Sequence, residues 1–330
     1  MRQVFHALIL VLVCSVANVC VAGAQALRTP QGMIEKSLSH GGLERAWLIY
    51  APPGLEKNAP AVVLLHGGTQ SMRKMFAPNA GGTQAWVDLA NRNHFLLLVP
   101  NAVNPDDSDP TSDRQTWNVF GPEQERRRST ADDVGFILKM LDQAEENYSI
   151  DASQVYVTGA SNGGMMTFRL LIEAPERFAA GAAFIASLPA DMAAVPQPKV
   201  RRPLMLYNGT LDGLIKYGGG RIGAGLGETA PVPQTVDWWA RALHANTANP
   251  IRDRLPNRDR LDRCVIERTR LTAGADGARL SIYLGVGGGH SMPSIAHKLP
   301  DTPFIRTVIG PQCHDAEGAA LAWRFFTGED

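Results

Sequence analysis

Short apolar runs recur along this chain, each closed by glycine, proline or polar residues and most of them followed by a stretch with helical spacing. Ala61-Val62-Val63-Leu64-Leu65 and Phe95-Leu96-Leu97-Leu98-Val99 show no polar alternation, which marks strands covered on both faces. The run Val155-Tyr156-Val157 and the stretches 179–186, 203–207 and 280–286 continue the series. Helical patterns occupy 83–91, 134–141, 166–171, 232–245 and 317–326. This alternation predicts an α/β fold with a mainly parallel central sheet and helices on both faces. Residues 43–50 read as an early edge strand. The charged stretch 250–263 has no apolar period and reads as a solvated insertion.

The first residues stand apart from that pattern. A basic start at Arg2, an apolar stretch from Ala7 to Val21 and the small residues Ala22, Gly23, Ala24 and Ala26 read as a secretory signal peptide over 1–26. The apolar part is short for a membrane span, so export to a secreted or periplasmic location is expected, without stable membrane insertion. Residues 27–330 then form a single domain of the size that one large α/β sheet with insertions takes. With 32 basic and 32 acidic residues, the chain carries no footprint for nucleic acid. Oligomeric state is not readable from it.

Cys14 and Cys20 fall inside the leader, leaving Cys264 and Cys313. In an oxidising compartment their pairing is the simplest reading, closing a loop of about 50 residues worth ~3–4 kcal/mol in the chain-entropy model. Two buried free thiols are the alternative. No C-x-x-C or H-E-x-x-H spacing suggests a metal, and no cofactor is expected.

The chemistry concentrates just after the strands, where ligands bind in parallel α/β sheets. Gly159-Ala160-Ser161-Asn162-Gly163 lies between a strand and a helix, the setting in which a G-x-S-x-G serine is exposed as a nucleophile on a sharp turn. An ordinary glycine-rich connection is the bland alternative. A serine needs a base, and His290, after Gly287-Gly288-Gly289, is the best placed of the eight histidines; His314 is the reserve. The base needs an acid, and Asp212 lies in a strand-end loop between the two, giving the order Ser, Asp, His, with Asp191 as reserve. Oxyanion donors are expected from the backbone of Asn162 and Gly68. His66 reads as a residue that orients this loop. Asp132 and Asp133, in a capping-box pattern begun by Thr130, read as helix-start residues. Trp117, in the polar stretch 102–128, is a candidate for lining a substrate cleft, with a satellite cluster under the loop as its structural counterpart.

Taken together, the segments 64–70, 157–166, 209–212 and 287–290 resemble the secreted poly(3-hydroxybutyrate) depolymerase and feruloyl or acetylxylan esterase family, a branch of the α/β-hydrolases. The resemblance covers most of residues 27–330. It implies the α/β-hydrolase fold and a serine esterase that cleaves a polyester oligomer or an acylated polysaccharide through an acyl-enzyme. Ser161, Asp212 and His290 would be its catalytic residues. Two departures bear on the site: this chain has Gly68 where similar depolymerases often have cysteine, and Met292 where many relatives have an aromatic, which makes Met292 a second candidate cleft residue.

Of the functions implied, a depolymerase-like esterase for poly- or oligo-(3-hydroxybutyrate) ranks first and a feruloyl or acetylxylan esterase second. A catalytically inactive exported binding protein of hydrolase fold is the alternative from another class. It has no need to keep serine, acid, base and oxyanion loop together.

Overall fold

The computed structural model describes residues 29–78, 80–121, 129–223 and 227–330; the leader reading of 1–26 lies outside them. The strands are β1 (Ile34–His40), β2 (Leu43–Tyr50), β3 (Ala61–Leu65), β4 (Leu96–Pro100), β5 (Val155–Ala160), β6 (Ala180–Phe184), β7 (Leu204–Gly209), β8 (Gly220–Arg221), β9 (Glu228–Thr229), β10 (Ile251–Arg254), β11 (Val265–Leu271) and β12 (Leu280–Val286). The helices are α1 (Ala85–Asn93), α2 (Asp133–Tyr148), α3 (Asn162–Glu173), α4 (Val232–Ala242) and α5 (Gly318–Thr327).

Ten strands form one sheet in the order β1-β2-β4-β3-β5-β6-β7-β12-β11-β10, and β8 pairs with β9 in a small hairpin. From β4 to β12 every neighbouring pair is parallel, whereas β1, β2, β11 and β10 join antiparallel at the two margins. The fully apolar strands β3 and β4 lie in the parallel part, where helices cover both faces.

Alternate residues of each strand feed two cores. Ala61, Val63 and Leu65 face α2, α3 and α4 through Phe136, Met140, Phe168 and Trp239. Val62 and Leu64 face α1 and α5 through Trp86, Leu89, Trp323 and Phe325. On that second face Tyr156 of β5 stacks on Phe326 at 4.6 Å, and Phe95 stacks on Trp323 at 4.5 Å. The terminal helix is thereby clamped to the middle of the sheet.

Both margins differ from expectation. The stretch 43–50 is not the edge: β1 lies outside it, joined through Gly41 and Gly42, whose φ angles of 60° and 77° suit a tight hairpin turn. The charged stretch after residue 250 contains the edge strand β10, and β11 lies between it and β12. Its charges pair across the ladder, with Arg254 opposite Glu267 and Arg268 opposite Asp253, each pair bridged at 2.6 Å. Such a charged edge discourages further strand addition.

Helix α2 starts two residues later than the Thr130 pattern implies. Asp132 is the N-cap, accepting from Gly135 N at 2.9 Å, and Asp133 is the first helical residue. Asp133 is wholly buried and bonded to the equally buried Arg45 of β2 at 2.6 Å, while its other oxygen accepts from Asn118 N. Burial pushes the Asp133 carboxyl above its ordinary range and the Arg45 guanidinium pulls it back. Cys264 and Cys313 are joined in a disulfide with their Cα atoms 5.3 Å apart, in line with the pairing expected from the sequence.

Candidate active site

The ends of β3, β5, β7 and β12 lie along one edge of the sheet, because these strands are parallel and nearly in register. Leu65 pairs with Gly159, and Gly209 pairs with Gly285. The loops that follow, carrying Gly68, Ser161, Asp212 and His290, are therefore neighbours despite their distance in sequence.

Ser161 has φ 56° and ψ −121°, a backbone conformation that a residue with a Cβ pays for in strain. The turn is held in this shape by close backbone packing on both sides. A Cβ on Gly163 would overlap the carbonyl oxygens of Leu65 and His66, and one on Gly159 would overlap the Gly163 backbone. Only glycine lets α3 start this close to β3, and that approach turns the serine side chain out of the sheet.

His290 Nδ1 lies 2.7 Å from Asp212 Oδ2. The other oxygen of Asp212 accepts from Leu214 N and Ile215 N, both at 2.8 Å, so this buried carboxylate is fixed by three donors. With Nδ1 as the donor to a carboxylate, Nε2 is left as the lone-pair nitrogen. The His290 backbone is pinned as well: its N–H donates to Ile309 O at 2.5 Å, and Gly289 N donates to Pro311 O at 2.6 Å.

Ser161 and His290 line one cavity of about 380 Å³, together with Gly68, Met292 and an apolar wall that includes Met75, Ile185 and Leu214. One side of it comes from a strap that sequence reasoning did not single out. Leu299, Phe304, Ile305 and Ile309 belong to the segment between His290 and Cys313, and residues 305–309 form a single π-helical turn. The sequence signal was slight: four apolar residues in a proline-rich loop.

The N–H groups of Gly68 and Asn162 have no hydrogen-bond partner among the described residues, whereas the next amide, Thr69 N, is taken by Gln115 O at 2.8 Å. The Asn162 side chain is engaged by the Trp117 loop: its Oδ1 accepts from Trp117 N at 2.7 Å. Beneath the loop sits His66, wholly buried. Its Nε2 accepts from Ala102 N at 3.1 Å, which leaves Nδ1 to donate to Gly67 O at 2.8 Å. Burial, chiefly, lowers its pKa to about 4, so it is neutral across the physiological range.

Trp117 does not line the cleft. Its ring is 1% exposed and packs 4.7 Å from the His66 imidazole, and its Nε1 donates to His66 O at 2.9 Å. An indole is large enough to be the core of its own loop, and here it supports the floor of the site from below. Met292, by contrast, borders the cavity.

The reserve residues lie elsewhere. Asp191 precedes a short 3-10 turn at 192–194. His314 bonds Asp259 at 3.1 Å and lies close to Asp262. The ligand atoms of Asp259, Asp262 and His314 fall within 4.8 Å of one another, but the Lys298 ammonium, 2.9 Å from Asp259, already supplies a cation there.

Comparison with known proteins bears on the whole arrangement. A family profile described as alpha/beta hydrolase fold matches residues 60–225. Poly(3-hydroxyalkanoate) depolymerase C of Paucimonas lemoignei is 36% identical over 140 residues, which cover 42% of this chain and 30% of that protein. Feruloyl esterase B of Thermothelomyces thermophilus is 32% identical over 136 residues, covering 41% of this chain and 42% of the relative. The chain thus spans well under half the length of these relatives. Among solved structures, an acetyl xylan esterase from Aspergillus awamori superposes with a TM-score of 0.54 at 18% identity, covering 78% of this chain and 94% of that one.

Proposed function

The chain belongs to the α/β-hydrolase fold family, and from that premise we propose that it is an exported serine esterase acting on short polyesters of the 3-hydroxybutyrate type. The observation that carries this reading is the buried Asp212–His290 pair, which opens onto the same cavity as a serine held in a strained strand-to-helix turn. Strain at Ser161 costs free energy without a gain in fold stability, and Asp212 fixes the orientation and tautomer of His290.

In this reading the Ser161 hydroxyl attacks the ester carbonyl while His290 Nε2 takes its proton. Asp212 keeps Nδ1 protonated and stabilises the imidazolium. The negative charge on the tetrahedral oxygen accepts hydrogen bonds from the Gly68 and Asn162 amides, which are prearranged and have no other work to do. Collapse expels the alcohol, protonated by His290. Water then repeats the sequence on the acyl-enzyme and releases the acid.

The polyester reading is favoured by the likeness to a poly(3-hydroxyalkanoate) depolymerase and by the largely apolar cavity wall. Likeness to a feruloyl esterase supports the runner-up, an esterase of acylated plant polysaccharide. Export is supported by the leader pattern and by the Cys264–Cys313 bridge, and no helix among the described residues is long and apolar enough to cross a membrane. Residues 27–330 as one catalytic domain is part of the same proposal.

The test is hydrolysis of p-nitrophenyl butyrate by the wild type and by Ser161→Ala. The reading requires a rate in the wild type that falls by about three orders of magnitude or more in the variant; equal rates end it.

A further inference from the structure

Lys74 is the one fixed cation on the cavity wall, and among the described residues no aspartate or glutamate lines that cavity. Its ammonium donates to Thr69 O at 3.1 Å, one residue past Gly68, so the charge sits at the end of the oxyanion loop. Its backbone is firmly placed. Lys74 N donates to Ser71 Oγ, Ser71 Oγ donates to Asp113 at 2.6 Å, Met72 N donates to Asn101 Oδ1 at 2.9 Å, and the buried Met75 anchors the far side of the turn.

The neighbouring arginine shows what is unusual here. Arg73 is paired with Glu35 at 2.6 Å, whereas Lys74 has no carboxylate within ion-pair distance among the described residues. A cation left unpaired beside a cavity without acids makes a local positive potential aimed at whatever enters. A neutral ester gains nothing from it. An ester that ends in a free carboxylate gains an ion pair and is steered to the mouth.

We propose that Lys74 selects esters carrying a free carboxylate, so that the site takes the acid end of short 3-hydroxyacid oligomers in preference to internal bonds of neutral polymer. This rests on the esterase reading and narrows it. In such an oligomer the terminal carboxylate lies only a few bonds beyond the last ester oxygen, and Ser161 and Lys74 line the same cavity. Methyl or sugar esters of ferulate lack that group.

The experiment compares two substrates with the same scissile ester: the 3-hydroxybutyrate dimer as free acid and the same dimer as its terminal carboxamide. Wild type, Lys74→Gln and Lys74→Arg are assayed, and the acid-to-amide ratio is read within each protein. The expected result is a KM for the acid about fivefold below that for the amide in wild type and Lys74→Arg, the size reached by an ion pair at a partly solvated rim. The ratio falls to parity in Lys74→Gln, and it shrinks at 1 M salt, where the screening length is only ~3 Å. An acid preference that survives Lys74→Gln, or no preference in the wild type, overturns the proposal. Calorimetric binding of both dimers to the Ser161→Ala protein separates this from the chemistry. Lys74-dependent binding of the acid without any turnover of either dimer by the wild type would retain the recognition and remove the esterase reading, while equal binding of both dimers overturns the recognition.

Discussion

The indole of Trp117 donates to the carbonyl of His66 at 2.9 Å, tying a tryptophan from one loop to the residue that begins the proposed oxyanion loop. The two rings also lie against each other. Trp117→Phe keeps most of the packing and leaves the His66 carbonyl unsatisfied. A loss of about 1 kcal/mol in denaturant unfolding is expected, together with a several-fold fall in kcat for p-nitrophenyl butyrate as Gly68 loses its fixed position. A variant with lower stability and unchanged kcat would show that the contact serves the fold alone.

His66 makes stability depend on pH. Its folded pKa of about 4 is depressed below the ordinary value of 6.5, so the unfolded chain binds a proton that the native state refuses. The contribution is complete above about pH 6.5 and is lost as pH falls from there toward 4, amounting to about 3 kcal/mol at the lower end. Unfolding free energies measured between pH 7 and pH 4 should fall less steeply in His66→Asn than in the wild type, by up to one proton's worth of slope. Parallel curves would contradict the neutral, buried imidazole.

Ser161 sits at φ 56°. Glycine adopts this region freely, so Ser161→Gly should be more stable than the wild type by about 1 kcal/mol while having no esterase activity. Thermal unfolding monitored by circular dichroism checks the first part and an ester assay the second. Gly163→Ala should do the reverse, losing about 1–3 kcal/mol because its methyl meets the backbone of Leu65 and His66.

The Arg45–Asp133 pair is fully enclosed. Arg45→Met leaves the Asp133 carboxyl without its counter-charge and should cost about 3–5 kcal/mol, whereas the double change Arg45→Met with Asp133→Leu should recover much of it. Chemical denaturation of the wild type, Arg45→Met, Asp133→Leu and the double variant gives the cycle. Additive losses would show that the two side chains act independently.

What was legible in the sequence follows from where each element sits. The strands of the parallel part are wrapped on both faces, so β3 and β4 are unbroken apolar runs whose neighbours must be helices. Ser161, Asp212 and His290 stood out as candidates because each lies just beyond a strand of the parallel part. At the sheet margins that logic fails. β1 is Ile-Glu-Lys-Ser-Leu-Ser-His, mostly exposed, and β10 with β11 is held by cross-strand ion pairs, so both resemble loops until their partners are known. Trp117 misled for a related reason. An aromatic in a polar stretch gives no sign of whether it faces solvent or fills the space beneath its own loop. The strap from Leu299 to Ile309 depends on contacts with Gly213 and Gly289, distant and near in sequence, which no local pattern encodes.

The adjacency of β7 and β12 also has a consequence in time. Asp212 and His290 are 78 positions apart, and the strand that delivers the histidine pairs with β7 only after α4, β10 and β11 have been synthesised. In the proposed esterase, a growing chain therefore carries Ser161 and Asp212 long before His290 is made, and would be inert toward esters meanwhile. Contacts of such high sequence separation form slowly. During refolding, recovered hydrolysis should lag behind the return of helical signal, and turnover becomes a clock for the last strand to dock.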